Sequence, residues 1–591
     1  MSFDVPPGTA APTRTHSRGL LAVAAGAVGF AAADTYVVVL ALPDMMASVG
    51  LSIDQLQRGA PVVSGFLLGY VAMLPLIGKV ADLRGRIPVL VGSLIVFSIG
   101  SLVTAGSYDL TTMVLGRFLQ GVGGGGLVPA TLALVADIWT AERRALPLGA
   151  VGAVQELGSV LGPLYGAAII AAWNWRAVFW LNLAVGLAFA AALLVMNATR
   201  APGARRDRAR PFDWLGAVLA TLCFAALVLV MTEPAQLTSG LTTGRAFIRY
   251  ADDSRWSTPM AVTCLVLAGL FIGRQATAAN PLLHWREWGR VTRDADVPGA
   301  LLLSVGLAGI VLAFAGADPE VHVLAPAGPW LLGASALAAI CFVARQRHAR
   351  SPLVPAGALR ARPAWGALVV NLLVGSALIA ALVDIPVFAR VTVYPTSQLD
   401  AALVLVRLLV AIPVGALLGG YLCRHLDYGP LAAAGMGMSC VGFVLMTRWG
   451  ATTLHDSSPT YALVLCGLGF GLAIAPTNAA LLSATDNAVH GVASALLVVA
   501  RMVGMLVGIS ALTAVGLHRF YQVSSNQPTL QQTCPDGTLC DAYLDVLREA
   551  GIAQLHAIFW GAALAAAVAG LLSLLLLSTG RGGRTHQEVG G

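Results

Sequence analysis

The sequence predicts an all-α membrane protein of about sixteen transmembrane helices, built as two six-helix halves joined by four linker helices. Three observations carry that prediction. Hydrophobic residues make up 57% of the 591 residues and charged residues 11%, far below the roughly 25% charge of soluble domains. The apolar residues gather in runs matching the ~20 residues that a helix needs to cross a bilayer. Between two such runs lies the short basic loop Gly78-Lys-Val-Ala-Asp82-Leu-Arg-Gly85-Arg86. A loop of that length and charge marks a tight hairpin on the cytoplasmic side.

Residues 1–18 are polar and form a cytoplasmic amino-terminal tail. The run from Leu20 to Leu42 is longer than the ~7–15 residues of a signal-peptide core, so it reads as the first span. The first half, 19–198, holds spans near 19–42, 59–79, 87–106, 111–137, 145–172 and 176–198. The second half, 365–579, holds spans near 365–389, 400–424, 431–449, 459–483, 489–516 and 554–579, and residues 580–591 form a cytoplasmic tail. Six plus six spans suit two related halves of a transport protein.

The linker, 199–364, holds four apolar segments, near 213–232, 257–274, 298–316 and 327–345, and they read as one helix pair written twice. Arg210-Pro-Phe-Asp213-Trp-Leu-Gly216 aligns with Arg293-Asp-Ala-Asp296-Val-Pro-Gly299, 83 residues later, and the tails Asn280-Pro-Leu-Leu283 and Ser351-Pro-Leu-Val354 match as well. Such self-similarity marks repetition of one structural unit. The segment 257–274 is short and polar-flanked, so it reads either as a span or as an interfacial helix.

An even number of spans puts both termini on one side of the membrane. Arginines at 84, 86, 143, 144, 205–210 and 581–584 place that side in the cytoplasm. The longest outer loop, 517–553, contains Cys534-Pro-Asp-Gly-Thr-Leu-Cys540 around a turn signal. In an oxidising compartment these two cysteines are expected to form a disulfide; otherwise they are free thiols. The net charge of +7 is spread over short loops, which excludes nucleic-acid binding. No histidine or cysteine spacing suits a metal. Gly121-Val-Gly123-Gly-Gly-Gly126 lies inside a span with no Lys-Ser/Thr after it, so it reads as helix packing rather than a phosphate loop. No cofactor is expected, and an ion gradient is the energy source.

Ionisable side chains in a span are costly unless paired or hydrated. Asp34 and Glu156 can hold protons and are the candidates for proton coupling, with Arg117, Arg407 and Arg501 as charge partners. A carboxylate beside Arg117 or Arg501 would stay ionised until a conformational change separates them, then take a proton. Arg117 alternatively anchors helix contacts, and Arg407 alternatively reaches for the membrane interface.

Five segments together resemble the major facilitator superfamily, and within it the drug/proton antiporters with extra central helices. They are the Gly78 to Arg86 hairpin, Arg117-Phe-Leu-Gln120-Gly121, Gly158-Ser-Val-Leu-Gly162-Pro163-Leu-Tyr-Gly166, Asp34-Thr-Tyr36-Val-Val-Val39-Leu-Ala-Leu-Pro43 and Trp173-Asn-Trp-Arg176. The resemblance implies a cytoplasmic gating role for Gly78, Asp82, Gly85 and Arg86, and close helix contact at Gly158, Gly162, Pro163 and Gly166. Tyr36 and Val39 depart from the usual first-helix pattern, which has threonine and asparagine there. With Gln155-Glu156 and Ala500-Arg501-Met-Val-Gly504 they look more like the mycobacterial triacylglyceride-exporter branch, which works with a periplasmic lipoprotein. The doubled linker departs from that branch. The resemblance implies a monomeric exporter of lipid or other apolar molecules in the bacterial inner membrane. Export of small amphiphilic drugs is the nearest alternative. A membrane-embedded lipid-modifying enzyme is the other, opposed by the absence of a nucleophile and base set in any loop.

Overall fold

The computed structural model describes residues 14–52, 55–139, 145–198, 213–240, 242–250, 254–278, 281–282, 296–315, 324–349, 352, 360–395, 397–423, 425–485, 490–528, 530–534 and 540–577. The termini, the arginine-bearing segments 201–212 and 283–295, and Arg143, Arg144 and Arg424 lie outside them. Among the described residues there are sixteen helices of nineteen residues or more. Twelve of these are long and apolar enough to cross a membrane over their described residues alone.

The first six are α1 (Arg14–Ala47), α2 (Leu56–Arg84), α3 (Arg86–Ala105), α4 (Leu110–Ile138), α5 (Ala145–Ala172) and α6 (Trp175–Ala198). Four linker helices follow: α7 (Trp214–Thr232), α8 (Pro259–Thr277), α9 (Val297–Ala315) and α10 (Gly328–His348). The last six are α11 (Arg362–Thr392), α12 (Gln398–Leu422), α13 (Tyr428–Met446), α14 (Ser458–Ser483), α15 (His490–Ser524) and α16 (Asp541–Leu576).

The two six-helix sets pack alike. In the first, α1 lies on α5, α2 on α4, and α3 on α4 and α6; in the second, α11 lies on α15, α12 on α14, and α13 on α14 and α16. The sets meet where α2 packs on α15 and α5 on α12. Small residues set these distances. A Cβ on Gly504 would stand 1.8 Å from the Leu372 carbonyl oxygen, and one on Gly471 would stand 2.0 Å from that of Ile412. Without a hydrophobic drive between helices in lipid, such backbone proximity is a main source of association.

The linker repeat has a structural counterpart. Asp213 caps α7 by accepting from the Gly216 N–H at 3.1 Å, and pairs with Arg274 at 2.9 Å and Gln275 at 3.4 Å. Asp296 does the same for α9, with Gly299 at 3.2 Å, Arg345 at 2.6 Å and Gln346 at 3.1 Å. Burial opposes ionisation of Asp213, yet the Gly216 N–H and Arg274 hold its carboxyl below the usual range. The same side-chain set thus ties each hairpin at its base.

The two pairs dock in different places. Val230 and Met231 of α7 and Ala261 and Cys264 of α8 form a small core with Leu102, Val103 and Leu183 of α3 and α6. The second pair instead lays α9 against both α2 and α15, beside a seam between the two sets. The 257–274 segment resolves as α8, capped by Thr258 onto the Ala261 N–H. Its 19 residues span about 28 Å at ~1.5 Å each, a membrane thickness.

Deletion of residues 211–293 removes the first pair and keeps span parity, so the last six helices should insert in their native orientation. The α3 and α6 surface it uncovers is apolar and compatible with lipid. Export should fall without being lost. Deleting the second pair should be more damaging, because α9 touches both sets. Reporter fusions that place the carboxy-terminal helices in inverted orientation would contradict the first expectation.

The lack of a helix breaker after Thr513 leads one to expect the helices flanking 517–553 to continue into it, and most of its described residues are helical. Helix α15 continues to Ser524 and α16 starts at Asp541, because His518-Arg519-Phe520-Tyr521 contains no breaker. Their 35 and 36 residues reach about 53 Å at ~1.5 Å per residue, well beyond the ~30 Å hydrocarbon core. Cys534 and Cys540 are joined by a disulfide with Cα atoms 5.9 Å apart.

Candidate functional site

Helix α1 carries Asp34, and the sequence around it lets two neighbours come close. A Cβ added at Gly158 would lie 2.0 Å from the Gly29 carbonyl oxygen, one at Gly162 2.4 Å from that of Ala33, and one at Gly166 2.6 Å from a Val37 methyl. The glycines of α5 therefore run along α1 on either side of Asp34. The two parts of α1, Arg18–Thr35, which carries Asp34, and Leu40–Ala47, meet at 59°. Pro43 lies inside this helix; it has no N–H to offer and crowds the preceding turn, a standard cause of a bend.

Asp34 is fully buried and so is Arg117 of α4. They pair at 2.8 Å through Arg117 Nη1 and Asp34 Oδ2. The other carboxylate oxygen accepts a hydrogen bond from Asn182 of α6. Arg117 also donates to Gln120 Oε1 at 2.5 Å and to the Val62 carbonyl at 3.4 Å. Gln120 in turn donates to Ser101 of α3 at 2.9 Å. The guanidinium lies 4.5 Å from the centre of the Phe66 ring and 5.7 Å from that of Phe179, a cation–π setting that suits arginine's planar, weakly hydrated charge. Five helices, α1, α2, α3, α4 and α6, contribute to one buried polar cluster.

Of the two partners expected for a carboxylate, the structure brings Arg117 to Asp34. Arg501 is buried in α15, with its carbonyl against Gly375 of α11, and the described partners of Asp34 are Arg117 and Asn182. The described contact of Arg407 is Thr460 Oγ1 at 2.9 Å, at the start of α14. The side chains of Glu156, Asp82, Tyr36 and Val39, and the surroundings of Gly78, lie outside the described residues. In the hairpin, Gly85 ends α2 at φ +87° and ψ 152°, a conformation that only glycine adopts without strain. Arg86 then pairs with Asp137 at the end of α4, 3.1 Å away. Pro163 sits within α5 between Gly162 and Gly166. Arg176 donates to the Ser107 carbonyl at 3.1 Å and stacks on Trp175, which ties α6 to the turn after α3.

Sequence reasoning missed Asn182, Gln120 and Ser101, because an amide or hydroxyl in an apolar run carries little signal. It also missed Asp384 of α11, buried at 3% exposure. The rarity of carboxylates in apolar runs, the signal that found Asp34, applied to Asp384 equally. The Asp34 cluster can hold one ionised carboxylate in a dry interior as long as Arg117 stays beside it. No group of His, Cys, Asp or Glu suited to a metal ion occurs among the described residues.

A family model described as Major Facilitator Superfamily matches residues 24–509. A triacylglyceride transporter of Mycolicibacterium hassiacum is 35% identical over 541 residues, covering 89% of this chain and 84% of that protein. The triacylglyceride transporter of Mycobacterium tuberculosis is 35% identical over 524 residues, covering 86% and 83%. Among solved structures, a bacterial homologue of the human lysosomal transporter Spinster aligns with a TM-score of 0.55 at 12% identity, covering 96% of this chain and 97% of that one. A peptide transporter, POT, in complex with sulfate aligns at 0.52 and 14%, covering 94% of each. These last two speak to the fold alone.

Proposed function

Since the chain belongs to the major facilitator superfamily and is a membrane transporter rather than an enzyme, we propose that it exports triacylglyceride-like lipid by proton-coupled alternating access. The single observation that carries the coupling is the buried Asp34–Arg117 pair with Asn182 at its back. An ion pair with both members fully buried is expensive to assemble. A conformational change that moves α1 against α4 converts that cost into a change of proton affinity.

The lipid cargo is supported by the relatives, which are named triacylglyceride transporters and align over most of both chains. It is also supported by the paired extensions of α15 and α16, capped by the Cys534–Cys540 staple. In this reading the termini are cytoplasmic, the membrane is the bacterial inner membrane and the chain acts as a monomer. The extensions project into the periplasm toward a soluble lipoprotein carrier, because an apolar cargo does not cross water unaided.

The test is reconstitution into proteoliposomes with a fluorescent triacylglyceride, with and without a pH gradient. Gradient-driven lipid movement is expected. Gradient-driven movement of small amphiphilic dyes with none of lipid would favour drug export instead. Replacing residues 525–548 by a short Gly/Ser tether should leave the membrane helices folded and impair delivery of lipid to an acceptor outside. Delivery at the wild-type rate would remove the hand-off role of this projection.

A further inference from the structure

The carboxy-terminal set of helices holds a carboxyl that the Asp34 cluster does not explain. Asp384 lies within α11, eight residues before its end at Thr392, which is about 12 Å inside the helix. It is 3% exposed, and its Oδ1 has no hydrogen-bond partner among the described residues. One turn further on the same stripe of α11, Phe388 packs against Trp449 and Phe559, with ring centres 5.4 and 6.4 Å apart. The carboxyl is thus set next to an aromatic core.

The elements packed on α11 are α1, α12, α14, α15 and α16. Several of their described ionisable groups are engaged elsewhere. Asp34 is held by Arg117 and Asn182, Arg407 by Thr460, and His556 by the Trp449 carbonyl at 2.8 Å. Arg501 meets α11 at Gly375, nine residues before Asp384. Asp44, at the end of α1, pairs with Arg390 at 3.4 Å. No described group balances a negative charge on Asp384, and an unpaired carboxylate is disfavoured in an apolar interior.

Two features link this turn to the movement of the two sets. Pro386, two residues on, has no N–H and leaves the Leu382 carbonyl without its helical donor, so α11 can bend there. Arg390 follows on the same helix, and its pairing with Asp44 joins the ends of α11 and α1 across the two sets. While that pair holds, the ends of the two helices stay together over Asp384.

We propose that Asp384 is a second proton-binding carboxyl of the transport cycle, shut off from water while Asp44 and Arg390 are paired. The proposal rests on the proton-coupled reading above. When the ends of α1 and α11 part, water reaches the carboxylate and one proton passes from water to it. Closure carries the neutral acid, and the proton returns to water when the opposite side opens.

Dicyclohexylcarbodiimide reads this directly, because it reacts with protonated carboxyls in apolar surroundings. The carboxyl O–H adds across one N=C bond and the adduct rearranges to a stable N-acylurea, with no leaving group. Purified wild-type protein in lipid vesicles should carry the adduct at Asp384, located by peptide mass, with about fivefold more at about pH 6 than at about pH 9. Asp384→Glu should keep the labelling at that position and Asp384→Asn should lose it. Asp44→Asn, which unlatches the helix ends, should speed it. No adduct at Asp384, or an adduct formed equally at both pH values, overturns the proposal. An unchanged rate in Asp44→Asn overturns the gating part of it.

Transport separates this proposal from the reading beneath it. Wild-type export that ignores the pH gradient sinks proton coupling as a whole. Wild-type export that follows the gradient, with Asp384→Asn equal to it, sinks the Asp384 proposal alone.

Discussion

Arg117→Leu is expected to destabilise the protein by about 3–5 kcal/mol, the usual cost of leaving one member of a buried ion pair without its partner. Asp34 and Arg117 are both fully buried, so no solvent shell is available to take over from the lost guanidinium. The substitution also strips Gln120 of its donor and removes the cation from between Phe66 and Phe179. Adding Asp34→Asn to Arg117→Leu should restore part of the loss, because the stranded charge is then gone. Thermal unfolding of the two single variants and the double variant in detergent would measure this coupling. A single Arg117→Leu variant as stable as wild type would show that the pair bears no load.

Asp34→Asn alone should abolish gradient-driven export with the protein still inserted, at some cost in stability because Arg117 then keeps a buried charge opposed only by a neutral amide. Asparagine has nearly the shape of aspartate, and its oxygen can still accept from Asn182. What it cannot do is exchange a proton, so the coupled half of the cycle has nothing to drive it. Exchange of lipid across the membrane without a gradient should persist at a measurable rate. Normal export under a gradient by Asp34→Asn would exclude Asp34 from coupling. Loss of both export and exchange would show instead that the cluster is needed to keep the helices in place.

Much of this architecture was legible in one dimension. Membrane helices announce themselves because lipid cannot satisfy a backbone hydrogen bond, so each crossing is a continuous apolar run. Glycine spacing could be read for a related reason. Gly158, Gly162 and Gly166 stand four residues apart on one face of α5, and one face of a helix meets one neighbour. The linker repeat was visible because its punctuation, Asp213 and Asp296 with their glycines, does local capping work within a single turn.

The pairings were not legible. Asp34 and Arg117 are 83 residues apart, Asp34 and Asn182 are 148 apart, and Asp44 and Arg390 are 346 apart. Asp34 had two buried arginines to choose from, Arg117 and Arg501, and nothing in its own helix distinguishes them. Packing of α1 near α4 made the choice. The different docking of the two linker pairs was equally hidden, since α7, α9 and α10 show no preferred apolar face. In lipid a helix's apolar surface does not say what it touches. Contacts between helices are settled by the fit of backbones and by the few polar side chains that must find one another, and both of those exist only in the assembled bundle.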